Sequence, residues 1–436
     1  MKFYTLIQIS MVCLFILSNF SDAQPIKSNQ ITNNVNSTSR EIDADIISMI
    51  NRVNKSIVSS YLEGLVGCGI RNTGTENCDK AAEYIYNQFK QMGLDVEYQN
   101  WKIPFIKGKN VIATKNGSDP ESDAIFVICA HYDTWKNTVG ANDDGSGIAL
   151  MLTIANITSQ FSFNHTLRFL AVSGHETWPA YTYGSTAYAK KAYEQKENII
   201  CVLNFDMIGN TTKNGNVIQM RGRIRSIWLI DFIKEINEKY REYFDMMIEN
   251  FYNTPSTDES RFLDYGYDAI MFIQSNYWEP PNHVPEDDIS TINFDFLTNA
   301  TKLILAATTE LANKPIDIQI QITGPYEGYV YLFDRPFLKL PDYNSKKIKF
   351  RGKTYLLGGD LTVKINIKTD DEIKSVYFIL DNSVNYKRVV TKPPYEFKIT
   401  KDNCESFYEK GTHTIGVKVI THSGKTAFDE MDIIIK

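Results

Sequence analysis

The run Ala124-Ile125-Phe126-Val127-Ile128-Cys129 is apolar throughout, and Ala130-His131-Tyr132-Asp133 follows it directly. A strand with one wet face alternates apolar and polar residues. An unbroken apolar run fits a strand covered on both faces, as in a parallel sheet between layers of helix. Leu167–Val172, Ile199–Phe205 and Ala269–Ile273 are nearly continuous in apolar residues rather than alternating, and read the same way. Apolar residues at helical spacing separate these runs, over Gly147–Ile157, Ser185–Glu194, Ile224–Ile248 and Phe294–Ala312. Upstream, Ala82, Ile85, Phe89 and Met92 share one helical face, with Gly93 as a stop. Strands alternating with helices predict an α/β fold with a doubly wound central β-sheet flanked by helices.

The chain is 436 residues long, which exceeds one core and predicts at least two domains. After Asn313-Lys314-Pro315 the pattern changes to short alternating strands, such as Leu361–Ile367, Ser375–Leu380 and Thr412–Val419, separated by Gly, Pro and Asn turns. A smaller all-β immunoglobulin-like sandwich is expected over 315–436. Pro393-Pro394-Tyr395-Glu396-Phe397 and Gly411-Thr412-His413-Thr414-Ile415 resemble strand edges of bacterial-type domains of that kind. Its aromatics could bind a polymer or a cell surface; the commoner role for such residues is to fill the sandwich, and His413 and His422 read as structural or exposed.

A net charge of −6 with no basic run argues against a nucleic-acid partner. Met1-Lys2, the apolar stretch Leu6 to Leu17 and the small residues of Ser21-Asp22-Ala23 read as a secretory signal peptide over 1–23. The alternative, a retained anchor, needs roughly 20 apolar residues, more than this run supplies, so no membrane span is expected after cleavage. Residues 24–45, rich in Asn, Ser and Thr, read as a flexible segment, leaving 46–314 as the α/β domain. Extracellular localisation is the expectation. Sequons at Asn36, Asn54, Asn116, Asn156, Asn164, Asn210 and Asn299 suit a glycoprotein. Cys68 and Cys78 flank a turn-rich stretch and are placed to form a short-loop disulfide, whereas Cys129 and Cys201 read as buried thiols and Cys404 has no obvious partner.

The polar residues fall in telling places. His131 and Asp133 follow the first run, His175 and Glu176 the second, and Asp206 closes the third. His283 lies beyond the fourth, and Asp143-Asp144 occupy a Gly-rich loop before a helix. Ligands of open α/β sheets bind beyond the carboxyl ends of the strands. Carboxylates gathered there without basic partners repel one another, and a divalent cation removes that cost. Imidazole with carboxylate suits zinc. Any one of these residues alone would read as a cap or turn former.

The segments Ala130-His131-Tyr132-Asp133-Thr134, Gly140-Ala141-Asn142-Asp143-Asp144-Gly145-Ser146-Gly147, Asn204-Phe205-Asp206-Met207-Ile208-Gly209 and Asn282-His283-Val284-Pro285-Glu286-Asp287 resemble the zinc aminopeptidase and glutaminyl cyclase family of peptidase clan MH. Leu65 to Gly74 and Ser256-Thr257-Asp258-Glu259 through Ile270 extend the likeness over about 46 to 313. The resemblance implies a di-zinc exopeptidase acting on peptides, with two Zn2+ ions sharing a bridging hydroxide. Asp143 would bridge the metals, His131 and Asp206 would complete one site, and Glu176 and His283 the other. Asp133 would orient His131 through its ring nitrogen, Asp144 would lie behind the ligands, and the Asp143–Asp144 peptide would be cis. Asp258 would approach the substrate amine; its other reading is a helix cap.

One position departs from the family. Where the family has two adjacent glutamates, a general base and then a ligand, this chain has His175-Glu176. Either His175 is the base and Glu176 the ligand, or Glu176 is the base and Thr177 stands at the ligand position; alternatively the change impairs catalysis and the domain only binds. An aminopeptidase is the leading reading, with a carboxypeptidase, a glutaminyl cyclase or an impaired binding protein as alternatives.

Overall fold

The computed structural model describes residues 43–178, 181–210, 215–223, 226–251, 257–275, 283–314, 318–326, 328–340, 354–381, 388–422 and 426–436. The signal-peptide region 1–23, Asn36 and nearly all of the segment 24–45 lie outside them, as do Ser256, Asn282 and the boundary residue Pro315.

Three helices open the chain: α1 (Ala44–Arg52), α2 (Lys55–Val66) and α3 (Glu76–Gln91). Each begins where an Asp, Asn or Thr side chain accepts a free backbone N–H: Asp43, Asn54 and Thr75. The α/β part then comprises β1 (Asp95–Ile103), β2 (Ile106–Lys115), β3 (Ile125–His131), α4 (Ser146–Thr158), β4 (Thr166–Val172), α5 (Tyr183–Gln195), β5 (Ile199–Phe205), β6 (Val217–Gly222), α6 (Ile227–Lys239), β7 (Met247–Phe251), α7 (Asp258–Leu263), β8 (Asp268–Gln274) and α8 (Phe294–Asn313).

The sheet order is β1-β2-β4-β3-β5-β8-β6-β7. Its central strands β4, β3, β5 and β8 run parallel and are the apolar runs read from the sequence. They are flanked by β2 and β6, antiparallel to their neighbours β4 and β8, so the sheet is mixed rather than parallel throughout. The outer strands were not legible as apolar runs; β1 has mostly exposed side chains, as an edge strand can. α4 is buried almost all round and lies with α8 in the main core. A second apolar layer, including Val127, Leu170, Tyr188 and Phe262, covers the opposite face.

Two expectations fail. The helix expected over Ile224–Ile248 ends at Lys239, and Met247–Phe251 is an edge strand instead. Pairing with β6 satisfies the backbone of this stretch, and its side chains alternate between exposed and half-buried. The Cys68–Cys78 disulfide is also absent: both are thiols, and Cys129 and Cys201 are likewise not in disulfides. The Cys78 side chain is buried in the first turn of α3, while the Cys68 thiol turns back to the Gly64 carbonyl of α2. Among the sequons, Asn210 is buried and donates to the Thr291 carbonyl, whereas Asn116 and Asn164 are exposed.

The C-terminal strands form a seven-stranded and a three-stranded sheet, with strands Leu361–Lys368, Ile373–Leu380 and Gly411–Thr421 where the sequence predicted them. Val363, Phe378, Phe397, Phe407 and Val417 fill the space between the sheets, and Tyr326, Phe333 and Phe337 are exposed. His413 is held between Asp381 and the Glu409 carbonyl, and His422 is exposed. Among the described residues no helix is long and apolar enough to cross a membrane.

Candidate metal centre

Because β3, β4, β5 and β8 are parallel, their carboxyl ends share one edge of the sheet. His131 ends β3, Ser173 to Glu176 follow β4, and Asp206 follows β5. Asp143 arrives from the loop ahead of α4, and His283 from the chain between β8 and α8. The His131 Nε2 stands 3.3 Å from Asp143 Oδ1 and 3.8 Å from Asp206 Oδ1. On the other side of Asp143, His283 Nε2 lies 3.3 Å from Asp143 Oδ2 and 2.9 Å from Glu176 Oε2. All five residues expected as ligands therefore meet, with Asp143 between two groups. Thr177, the ligand position in the other register, instead accepts a hydrogen bond from Asn72 Nδ2.

Backbone geometry makes this convergence possible. Gly140 sits at φ 54°, and a Cβ there would lie 2.3 Å from the Asp143 carbonyl. The Asp143–Asp144 peptide is cis. The Asp287 carboxylate accepts the N–H groups of Asn142 and Asp143 at 2.7 and 3.1 Å, clamping the same loop. Arg71, fully buried, donates to the carbonyls of Tyr132, Val139 and Gly140. One guanidinium thus ties the exit of β3 to the entry of the Asp143 loop. Neither Arg71 nor Asp287 stood out in the sequence as a site residue, because each acts on backbone groups that only the fold brings together.

Asp144 points away from the cluster. Its carboxylate accepts the N–H groups of Gly147, Met207 and His131, joining three segments. Asp133 does likewise for the next strand, accepting from His175 N, Glu176 N and Thr73 Oγ1. The expected contact from the Asp133 carboxylate to His131 is 3.7 Å long; the hydrogen bond from His131 Nδ1 goes to the Asp133 main-chain carbonyl at 3.1 Å. The carboxylate is engaged elsewhere.

His175 lies over the centre, its ring stacked on His131 at 4.0 Å. Its Nε2 is 3.8 Å from Glu176 Oε1 and 3.9 Å from Asp206 Oδ2. Its Nδ1 is 2.8 Å from Asp258 Oδ2, and the other Asp258 oxygen accepts from Ser185 Oγ. Asp258 is only 1% exposed, so the residue expected at the substrate amine is turned inward with both oxygens occupied. Thr257 is the helix cap, and Asp258 opens α7.

The electrostatics of the metal-free cluster follow from burial and crowding. Burial alone would raise the Asp143 carboxyl, but His131 and His283 hold it well below the usual range. Burial and the Asp143 charge raise Glu176. Burial opposes protonation of His131, yet Asp133, Asp143 and Asp206 lift it far above an ordinary imidazole. Asp143 and Glu176 push His283 up to about 10. Burial and His131 lower His175, and Asp258 and Asp206 outweigh them, leaving it at about 10.

The donor set fits zinc. His131 Nε2 and Asp143 Oδ1 are buried and face each other at 3.3 Å without a hydrogen bond, and Glu176 Oε2 is buried with His283 Nε2 beside it at 2.9 Å. His131, Asp143 and Glu176 form one compact ligand group, and His131, His175 and Asp206 another. Buried polar atoms left unpaired are costly, and a cation among these would satisfy all three.

A family model described as peptidase family M28 matches residues 110–308, which carry four of the five converging ligands and, in His283, the fifth. Residues 110–308 belong to peptidase family M28. A bacterial Ig domain model matches 351–417, within the β-sandwich. The chain is 26% identical over 349 residues to a "Probable zinc metalloprotease" of Pyricularia oryzae, covering 64% of this chain and 68% of that protein. It is 28% identical over 214 residues to "Aminopeptidase YwaD" of Bacillus subtilis, covering 47% of this chain and 45% of that one. In fold, the M28 domain is similar to an aminopeptidase from Aneurinibacillus sp. strain AM-1, with a TM-score of 0.54 at 17% identity over 62% of this chain and 98% of that one. It is also similar to glutaminyl cyclase from Bacteroides thetaiotaomicron, with a TM-score of 0.51 at 18% identity over 58% and 97%.

Proposed function

We propose that this chain is a secreted zinc aminopeptidase whose M28 domain holds two zinc ions and removes N-terminal residues from peptides. The observation that carries this reading is the convergence of buried ligand atoms on His131, Asp143 and Glu176, with Asp143 placed between two ligand groups. His131 and Asp206 would hold one ion, Glu176 and His283 the other, and Asp143 both. The ions would supply Lewis acidity, polarising the scissile carbonyl and making water a nucleophile at neutral pH.

The chain's own residues do the rest. His175 accepts a proton from the attacking water at Nε2, the ring nitrogen that faces the centre, and returns it to the departing amine. Asp258 accepts the Nδ1 proton, which fixes the tautomer that leaves Nε2 basic, and Ser185 holds Asp258 in turn. Asp133 fixes the backbone of His175 and Glu176 so that both side chains enter the cluster.

The test is a zinc determination together with a panel of aminoacyl chromogenic substrates, N-blocked peptides and peptides with N-terminal glutamine. Cleavage of the free-amine substrates alone, lost on chelation and recovered with zinc, is expected. Cleavage of N-blocked peptides from the carboxyl end, or cyclisation of glutamine without hydrolysis, would replace the aminopeptidase reading. Loss of zinc uptake and of all three activities would sink the enzymatic one.

A further inference from the structure

Two of the three imidazoles at the centre are anchored through Nδ1. His131 is bonded to the Asp133 carbonyl and His175 to Asp258. His283 differs. Its Nδ1 has no hydrogen bond to any described residue, its backbone is left-handed at φ 60°, and its side chain is 38% exposed, against 6% or less for the other four ligand residues. Among the described residues, none supplies the bond that normally orients a metal-bound imidazole from behind.

Trp135 takes that place. The indole and imidazole centroids are 5.0 Å apart with 14° between the planes, so the rings lie face to face. Such a neighbour opposes tilting of the imidazole, and tilting would swing Nε2 away from Asp143 and Glu176. An imidazole bonded to a cation is electron-poor, which strengthens its attraction to the indole face. The indole is itself on a fixed mount. The preceding Thr134 donates its N–H to the Arg71 carbonyl and accepts from Asn72 Nδ2, and the Trp135 carbonyl accepts from Thr138.

We infer that Trp135 is a positioning residue for His283, its stacked face replacing the hydrogen bond that anchors each of the other two imidazoles. The inference rests on the proposed two-zinc centre. In consequence the ion held by Glu176 and His283 depends on a residue that is no ligand and that no metal-ligand spacing in the sequence would reveal.

The test uses the full chain, freed of metal and titrated with zinc by calorimetry, as wild type and as Trp135→Ala, Trp135→Phe and His283→Ala. Wild type should show two binding steps, and His283→Ala identifies the one that involves His283. Trp135→Ala should weaken that step by about tenfold or more, within the range seen when an outer support of a ligand is lost, leaving the other step and the melting temperature of the metal-free protein unchanged. Trp135→Phe, which keeps an aromatic face, should recover most of the loss. Two wild-type steps in Trp135→Ala overturn the inference while leaving the zinc centre standing. So does an equal weakening of both steps with a lower melting temperature, which marks a general structural role. A wild-type protein that takes up no zinc overturns the inference and the zinc centre together.

Discussion

Asp258 Oδ2 lies 2.8 Å from His175 Nδ1, and the pair is closed off from solvent, with Asp258 1% exposed. The carboxylate that the sequence placed near a substrate amine instead backs the imidazole standing where the family has a glutamate. On the proposed mechanism the pair would be a histidine acting as base with an acid behind it to fix its tautomer.

Replacing either partner should show in turnover rather than in metal content. His175→Ala is expected to lower kcat by about 100-fold to 10,000-fold, the usual range for a lost general base, with zinc retained. Asp258→Asn should lower kcat by about tenfold or more with KM little changed, because the imidazole remains but its tautomer is no longer fixed. Near-wild-type kcat in zinc-loaded His175→Ala would remove the residue from the mechanism.

Zinc uptake should release protons and tighten with rising pH. Of the two ligand imidazoles, His283 is pushed up to about 10 and His131 is also raised. These groups carry protons at neutral pH that a cation must displace. Affinity is therefore greatest at high pH and falls as pH drops. Calorimetry in buffers of different ionisation enthalpy measures the protons released, and a count of zero contradicts the assignment.

Removing zinc should also cost stability, since a cation that binds only the folded state raises the melting temperature by mass action. The chelated protein is expected to melt lower than the loaded one and to recover on adding zinc. In Asp143→Ala the two melting curves should nearly coincide.

Arg71→Met should destabilise the M28 domain by about 3 kcal/mol or more, since hydrogen bonds to a charged group contribute roughly 1.5–3 kcal/mol each and the buried carbonyls of Tyr132, Val139 and Gly140 would lose their donor. Urea denaturation followed by a probe in that domain measures the change. A loss under 1 kcal/mol would show that water replaces the guanidinium.

Much of the fold was legible because burial writes itself into composition. The central strands are covered on both sides, so they had to be nearly continuous in apolar residues, and β3, β4, β5 and β8 were visible for that reason. The outer strands β1 and β7 carry mostly exposed or half-buried side chains, so no apolar run announced them, although β1 pairs in a tight hairpin with β2 and β7 with the more remote β6. The Met247–Phe251 strand was read as helix for this reason. The Cys68–Cys78 disulfide was expected from spacing alone, whereas the direction of each thiol depends on how α2 and α3 pack.

By itself, the sequence determined that strands alternate with helices, that a second, all-β part follows, and that histidines and carboxylates stand at strand ends, because these are matters of residue type and interval. The tertiary structure alone decided which atoms face one another: Asp258 behind His175, the Asp133 carbonyl rather than its carboxylate behind His131, Arg71 across two loops, and Trp135 against His283. The physical reason is range. Periodicity and composition report how a residue meets solvent, whereas hydrogen bonds and ring stacking act over a few ångströms between segments whose separation along the chain carries no trace of their meeting.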